Sequence, residues 1–179
     1  LRAAGAEITT VSLPPESSEL AGHWSITCGV EMLVAHEQYY PARPSDSGPA
    51  LGMFLEATRR LPASEYARAH HLRLRFNERL RQVLEKIDVL ACPSVGVRVP
   101  AGISMLDPDA LILMSKLLQT TAPFDYSGSP TISVPCGFAQ GDMPLSLQLV
   151  GRHFEEATLI RAAAAYESAT SWHLRHPNV

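Results

Sequence analysis

Between Thr121 and Gly151 the chain alternates turn residues with short apolar runs, and this stretch limits the possible folds more than any other. Thr131-Ile-Ser-Val134 and Leu145-Ser-Leu-Gln-Leu-Val150 are too short for helices and are bounded by Gly128, Pro130, Pro135, Gly137, Pro144 and Gly151. Runs of this kind read as strands. Both are expected to be interior strands of one sheet, covered on both faces. Gly128 suits a backbone position of positive φ. Pro130 and Pro135 bracket the first strand and limit its pairing. Gln148, set in an apolar strand, needs buried partners for its amide. Asp125 needs donors, and the backbone N–H groups of the loop after it are placed to supply them.

The rest of the chain alternates helix and strand. Leu1 to Gly5 reads as the last turn of a helix stopped by its glycine, and Ile8 to Leu13 as a strand closed by Pro14-Pro15. Ser17 and Ser18 can cap a helix running to about Tyr40, with Leu20, Trp24, Ile26, Val30, Leu33 and Val34 at helical spacing. Pro41 to Pro49 is a loop, and Leu51 to Leu61 a short helix ended by Pro62. Ser64 to Lys86 carries the clearest stripe: Tyr66, Ala69, Leu72, Phe76, Leu80, Val83 and Ile87 recur every three or four residues. Asp88 to Cys92 reads as an interior strand and Val95 to Pro108 as a loop. Asp109 to Gln119 is a helix whose apolar face holds Leu111, Ile112, Met114 and Leu118. A final helix opens at Glu155-Glu156, where acids suit the dipole, and runs to about Trp172. This order argues for an α/β fold in one unit spanning residues 1–179, a sheet covered by helices. Strand order and direction stay open.

Composition removes several function classes. With 46% apolar and 18% charged residues, a chain of 179 residues can build a real core. A net charge of −3 offers no basic footprint for nucleic acid. No apolar run approaches the ~18 residues of a membrane-spanning helix. Cys28, Cys92 and Cys136 are odd in number and widely spaced, which argues against a disulfide framework or a CxxC zinc site. They read as small core residues in a reducing, cytoplasmic setting. His70 and His71 point to different helix faces, poor geometry for a metal. His153, His173 and His176 lack a matching carboxylate pattern, and no G-x-S-x-G elbow supports a Ser/His/Asp triad. No metal and no cofactor is expected.

Several motifs in order resemble the last third of the amidase signature family. They are Gly5-Ala6-Glu7 through Leu13-Pro14; Glu31; Tyr66-x-x-Ala69-x-x-x-Arg73; Asp88-Val89-Leu90 with Pro93; Thr121-x-Pro123-Phe124 with Gly128-x-Pro130 and Pro135-x-Gly137; and Pro144 with Gln148, Gly151 and Glu156. Ser94 stands where the family more often has Thr, and Asp125 where it more often has Asn. The resemblance implies the carboxy-terminal part of the amidase fold, a buried mixed sheet covered by helices. It also implies a parent enzyme that hydrolyses carboxylic amides to acid and ammonia or amine.

Family chemistry uses a serine nucleophile, a second serine in a cis peptide and a buried lysine whose lowered pKa makes it the base. These belong to a Gly/Ser-rich amino-terminal half, which has no counterpart here. Ser127-Gly128-Ser129 belongs to a downstream motif. The only lysines, Lys86 and Lys116, are both expected in solvent. The chain alone is therefore expected to be inactive, with no catalytic residue of its own. In family members such as fatty-acid amide hydrolase the Thr-x-Pro-Phe loop lies beside the acyl channel. Thr121, Phe124 and Tyr126 are accordingly the expected substrate-binding residues, for a small-molecule amide in the intact enzyme. The expected partner is the missing amino-terminal half. The bared surface is expected to make the fragment a homo-oligomer, with no nucleic acid or membrane partner.

Two alternatives remain. The A subunit of an aminoacyl-tRNA amidotransferase would carry an Arg before the Tyr-x-x-Ala helix and an Asp before the Thr-x-Pro motif. Here those regions read Ser47-Gly48-Pro49-Ala50 and Lys116-Leu117-Leu118-Gln119, so a stand-alone amidase is favoured. A non-catalytic binding or assembly module with this fold is the other.

Overall fold

The structure is a computed structural model and describes residues 1–97, 104, 109–140 and 142–176. A 3-10 turn, Arg2–Ala4, ends at Gly5 in the left-handed region (φ 88°). There follow α1 (Ser17–Ala35), α2 (Pro49–Thr58), α3 (Ala63–Leu84), β1 (Leu90–Pro93), α4 (Ala110–Leu118), α5 (Ala122–Ser127), β2 (Thr131–Phe138), β3 (Pro144–Val150) and α6 (Glu156–Ser168). The strands form one sheet in the order β1-β3-β2.

Both pairings are antiparallel, with Leu90 and Thr131 each opposite Val150. The mixed sheet expected from the sequence is thus antiparallel among the described residues, and only β3 has neighbours on both sides. β1 and β2 are edges here, not interior strands. Pro135 has no N–H to give the ladder, and the register slips between it and Gly137 (φ 144°), leaving Cys136 as the extra residue of a bulge.

Successive side chains of β3 point to opposite faces, which divides the core in two. Val150 joins Leu20 of α1, Leu72, Phe76, Leu80 and Leu84 of α3, Leu90, and Phe124 and Tyr126 of α5. Leu149 joins Val134 and, from α6, Leu159 and Ala163. Helices thus cover both faces at the Val150 end of the sheet. At the other end Leu145 is 47% exposed.

The α3 stripe is as expected: Ala69, Leu72, Phe76 and Leu80 are buried, with Leu84 added at its end, while Tyr66, Val83 and Ile87 are half-buried. Several expectations need correction. Residues 8–13 form no strand; they have no ladder partner among the described residues, although Val11 and Leu13 still pack on the core. Helix α1 stops at Ala35, because the residue before Pro41 is biased away from helical backbone and the chain closes in turns ahead of it. Apart from Leu20, its expected apolar positions are half-buried, and Val34 is exposed. The hydroxyls of Ser168 and Thr170 bond the carbonyls of Ala164 and Tyr166, so α6 ends before Trp172–Leu174, a separate 3-10 turn. The face expected of α4 is uncovered at Ile112, 57% exposed. Most of the expected 95–108 loop, and the side chain of Leu111, lie outside the described residues.

Helices α1 and α2 meet at Gly29. A Cβ there would overlap Thr58 Oγ1 and come within 3.2 Å of Phe54 Cζ. Gly29→Ala should therefore destabilise the chain by about 1–3 kcal/mol despite the better helix propensity of alanine. In urea titrations, Thr58→Ala should recover most of that loss. A neutral or stabilising Gly29→Ala would contradict the close approach.

Candidate functional site

The stretch from Thr121 to Ser127, expected as a turn, is the short helix α5. Pro123 sits in its first turn, where its missing N–H costs nothing, and Gly128 ends it at φ 68°. The backbone before it is tied to the sheet. Gln148 Nε2 donates to Thr120 O at 3.0 Å, and Thr120 Oγ1 donates to Ser94 O at 3.0 Å. Gln148 thus finds the buried partner its position required.

The end of α5 is held by two other helices. Arg73 Nε and Asn77 Nδ2, one turn apart on α3, both donate to the carbonyl of Tyr126, at 2.7 and 3.2 Å. The Tyr126 hydroxyl bonds Thr27 Oγ1 of α1 at 2.8 Å. The Arg73 guanidinium also stands 5.7 Å from the centre of the Tyr126 ring. A cation and an amide on one last-turn carbonyl satisfy an otherwise orphan acceptor and oppose the negative helix end. The sequence marked Arg73 by its motif. The i,i+4 spacing of Asn77 was the available sign that both would share a face.

Of the three expected substrate-binding residues, Phe124 and Tyr126 lie together in the core, each 3% exposed, and Thr121 is half-buried at the start of α5. Tyr126 lines a cavity of about 170 Å³ shared with Trp24, Thr27, Cys28, Glu31, Arg73 and Asp125. Among the described residues no loop N–H donates to the Asp125 carboxyl. Asp125 is exposed as a residue, but desolvation of its carboxyl beside α1 raises it above the ordinary value, and the Trp24 indole draws it part of the way back. Burial, then the charges of Glu31 and Asp125, push the Cys28 thiol up, so it is no thiolate nucleophile at neutral pH. A larger cleft of about 520 Å³ runs along α3 beside Ser127, Ser129, Arg152 and His153.

The remaining candidate groups are occupied or exposed. The Ser127 hydroxyl accepts the Ser129 N–H at 3.1 Å and lies 3.1 Å from Phe124 O and 2.8 Å from Ser129 Oγ. His153 Nε2 donates to the carbonyl of Ser127, at 2.9 Å, and not to its hydroxyl. Lys86 and Lys116 are both exposed. The three cysteines are free and half-buried. Among the described residues no group of three His, Cys, Asp or Glu side chains could hold a metal, and no helix is long and apolar enough to cross a membrane.

A three-stranded sheet between helical layers, with a motif-bearing short helix pinned to β3, makes this an α/β protein. The amidase family model matches residues 1–160, and the chain belongs to that family. It is 38% identical to the putative amidase AmiD of Mycobacterium tuberculosis over 154 residues, 84% of this chain and 32% of that protein. It is 32% identical to the A subunit of glutamyl-tRNA(Gln) amidotransferase from a Roseiflexus species over 206 aligned residues, all of this chain and 41% of that one. It superimposes on 6-aminohexanoate cyclic dimer hydrolase, solved with its substrate, with a TM-score of 0.78 at 22% identity, covering 98% of this chain and 40% of the other. The chain thus spans between a third and about two fifths of these relatives.

Asp125 supplies a test of the small cavity. A carboxyl raised above its ordinary 3.8 favours the protonated fold, so stability falls as pH rises from about that value through the folded pKa. Asp125→Asn removes this penalty and keeps an oxygen for Trp24. It should raise the melting temperature at pH 7, with the difference from wild type vanishing below about pH 3.8. A pH-independent difference, or a loss at pH 7, would show that the carboxylate is needed in its charged form.

Proposed function

We propose that this chain is the carboxy-terminal portion of an amidase, a hydrolase acting on linear amide C–N bonds. In the intact enzyme it supplies sheet core and part of the substrate pocket. The observation carrying this reading is a family match across most of the chain joined to coverage of only 32–41% of the relatives. Thr121, Phe124 and Tyr126 are the pocket contributors, the two aromatic residues packing in this chain's core with Leu20 and Phe76. The chain does not catalyse alone, because the family's base is a buried neutral lysine and both lysines here are exposed. Its partner is the remainder of an amidase fold, and the substrate is a small carboxylic amide. Without that partner the chain self-associates through its exposed apolar side chains.

A stand-alone amidase is favoured over the A subunit of an amidotransferase by the absence of an arginine in Ser47–Ala50 and of an aspartate in Lys116–Gln119.

The isolated chain should show no turnover above a protein-free control on a panel of small aliphatic and aryl amides. Removing a catalytic set of this kind costs several powers of ten in rate. Turnover that persists in Lys86→Ala and Lys116→Ala but disappears in Ser127→Ala or Ser129→Ala would overturn the reading.

A further inference from the structure

The 520 Å³ cleft along α3 has an apolar floor of Leu80 and Leu84, with Leu74 54% exposed at its edge. Its rim is charged, yet the charges are already spent. Arg81 pairs with Glu78 at 2.8 Å and also with Glu85, and Arg81 with Gln82 holds the Glu78 carboxyl down at about 2. The Ser127 hydroxyl is turned to its own backbone, and His153 to a carbonyl. Among the described residues Asn77 Oδ1 is the one lining side-chain atom buried without a partner, and one such group falls short of the several converging unpaired groups of a pocket for a small polar ligand.

Next to His153 stands Phe154. Its ring is 92% exposed, and its backbone is held at φ 64°, where a bulky residue is strained. Strain of this kind persists where a contact makes use of it. The His153 and Phe154 rings meet edge to face, 6.4 Å between centres, so the phenyl stands beside a residue that lines the cleft. An apolar trough with a projecting aromatic side chain suits a packed polypeptide surface.

We infer that this cleft, with Leu74 and Phe154, is the seat on which the remainder of the amidase fold packs. This rests on the function proposed above. Relatives of the same fold are more than twice as long as the stretch matched here, so they hold a further body of chain to cover such a face. That body must present apolar side chains to Leu74 and Phe154.

The test is co-expression of this chain with the tagged amino-terminal portion of the mycobacterial relative, reading both capture of the chain and amide hydrolysis by the captured complex. Wild type and Met53→Asp, a change on exposed α2, should be captured alike. Leu74→Asp and Phe154→Asp should be captured at least about tenfold less, a 1.4 kcal/mol loss. Both side chains are exposed in the chain alone, so circular dichroism of the isolated variants should match wild type. Capture of both variants at the wild-type level, or no capture of wild type, overturns the inference. So does a dimer of the isolated chain that Leu74→Asp dissolves while leaving capture untouched, since the seat would then belong to a second copy. Capture that depends on Leu74 and Phe154 but yields no hydrolysis leaves the seat standing and sinks the amidase reading instead.

Discussion

One carbonyl oxygen, that of Tyr126, closes the helical layer over the sheet. Two donors from α3 converge on it while the same residue's hydroxyl reaches α1, so a single residue of α5 joins three helices. Hydrogen bonds from a charged donor are worth about 1.5–3 kcal/mol each, more than a neutral pair. Leu72 and Phe76 of α3 are buried beneath the joint with Phe124 and Val150. Because α5 leads directly through Gly128 into β2, its placement also sets where β2 begins against β3.

The sheet end of the same joint is Gln148. Its amide crosses from β3 to the carbonyl of Thr120, just before α5, and also lies 3.5 Å from Cys92 on β1. The short helix is therefore anchored at its start by the sheet and at its end by α3. Thr121 and Tyr126 thus stand at opposite ends of one element that is tied down at both. The cavity beside Tyr126 adds both charges in a small volume, the Arg73 guanidinium and the carboxylates of Glu31 and Asp125.

Much of this was legible in the sequence. The α3 stripe from Ala69 to Leu80 announced itself by period, and Gly128 and Gln148 by being a glycine at a turn and an amide among apolar residues. The motif order carried the family. What failed was whatever depends on neighbours outside the local pattern. Residues 8–13 have the composition of a strand, but a strand exists only by pairing, and composition cannot name the partner. The apolar positions of α1 and α4 showed a helical period without showing which faces would be covered. Asp125 took its donor from α1, a distant segment, because no loop N–H replaced it.

The central structural claim is that Arg73 holds α5 through the Tyr126 carbonyl. Native-state hydrogen exchange tests it at the amide of Gly128, which donates to Phe124 O at 2.9 Å in the capping turn of α5. In Arg73→Ala, exchange at Gly128 should quicken about tenfold or more, while the amides of Leu147 and Leu149 in β3 keep their wild-type protection. Unchanged exchange at Gly128, or an equal loss of protection in β3, would contradict the claim.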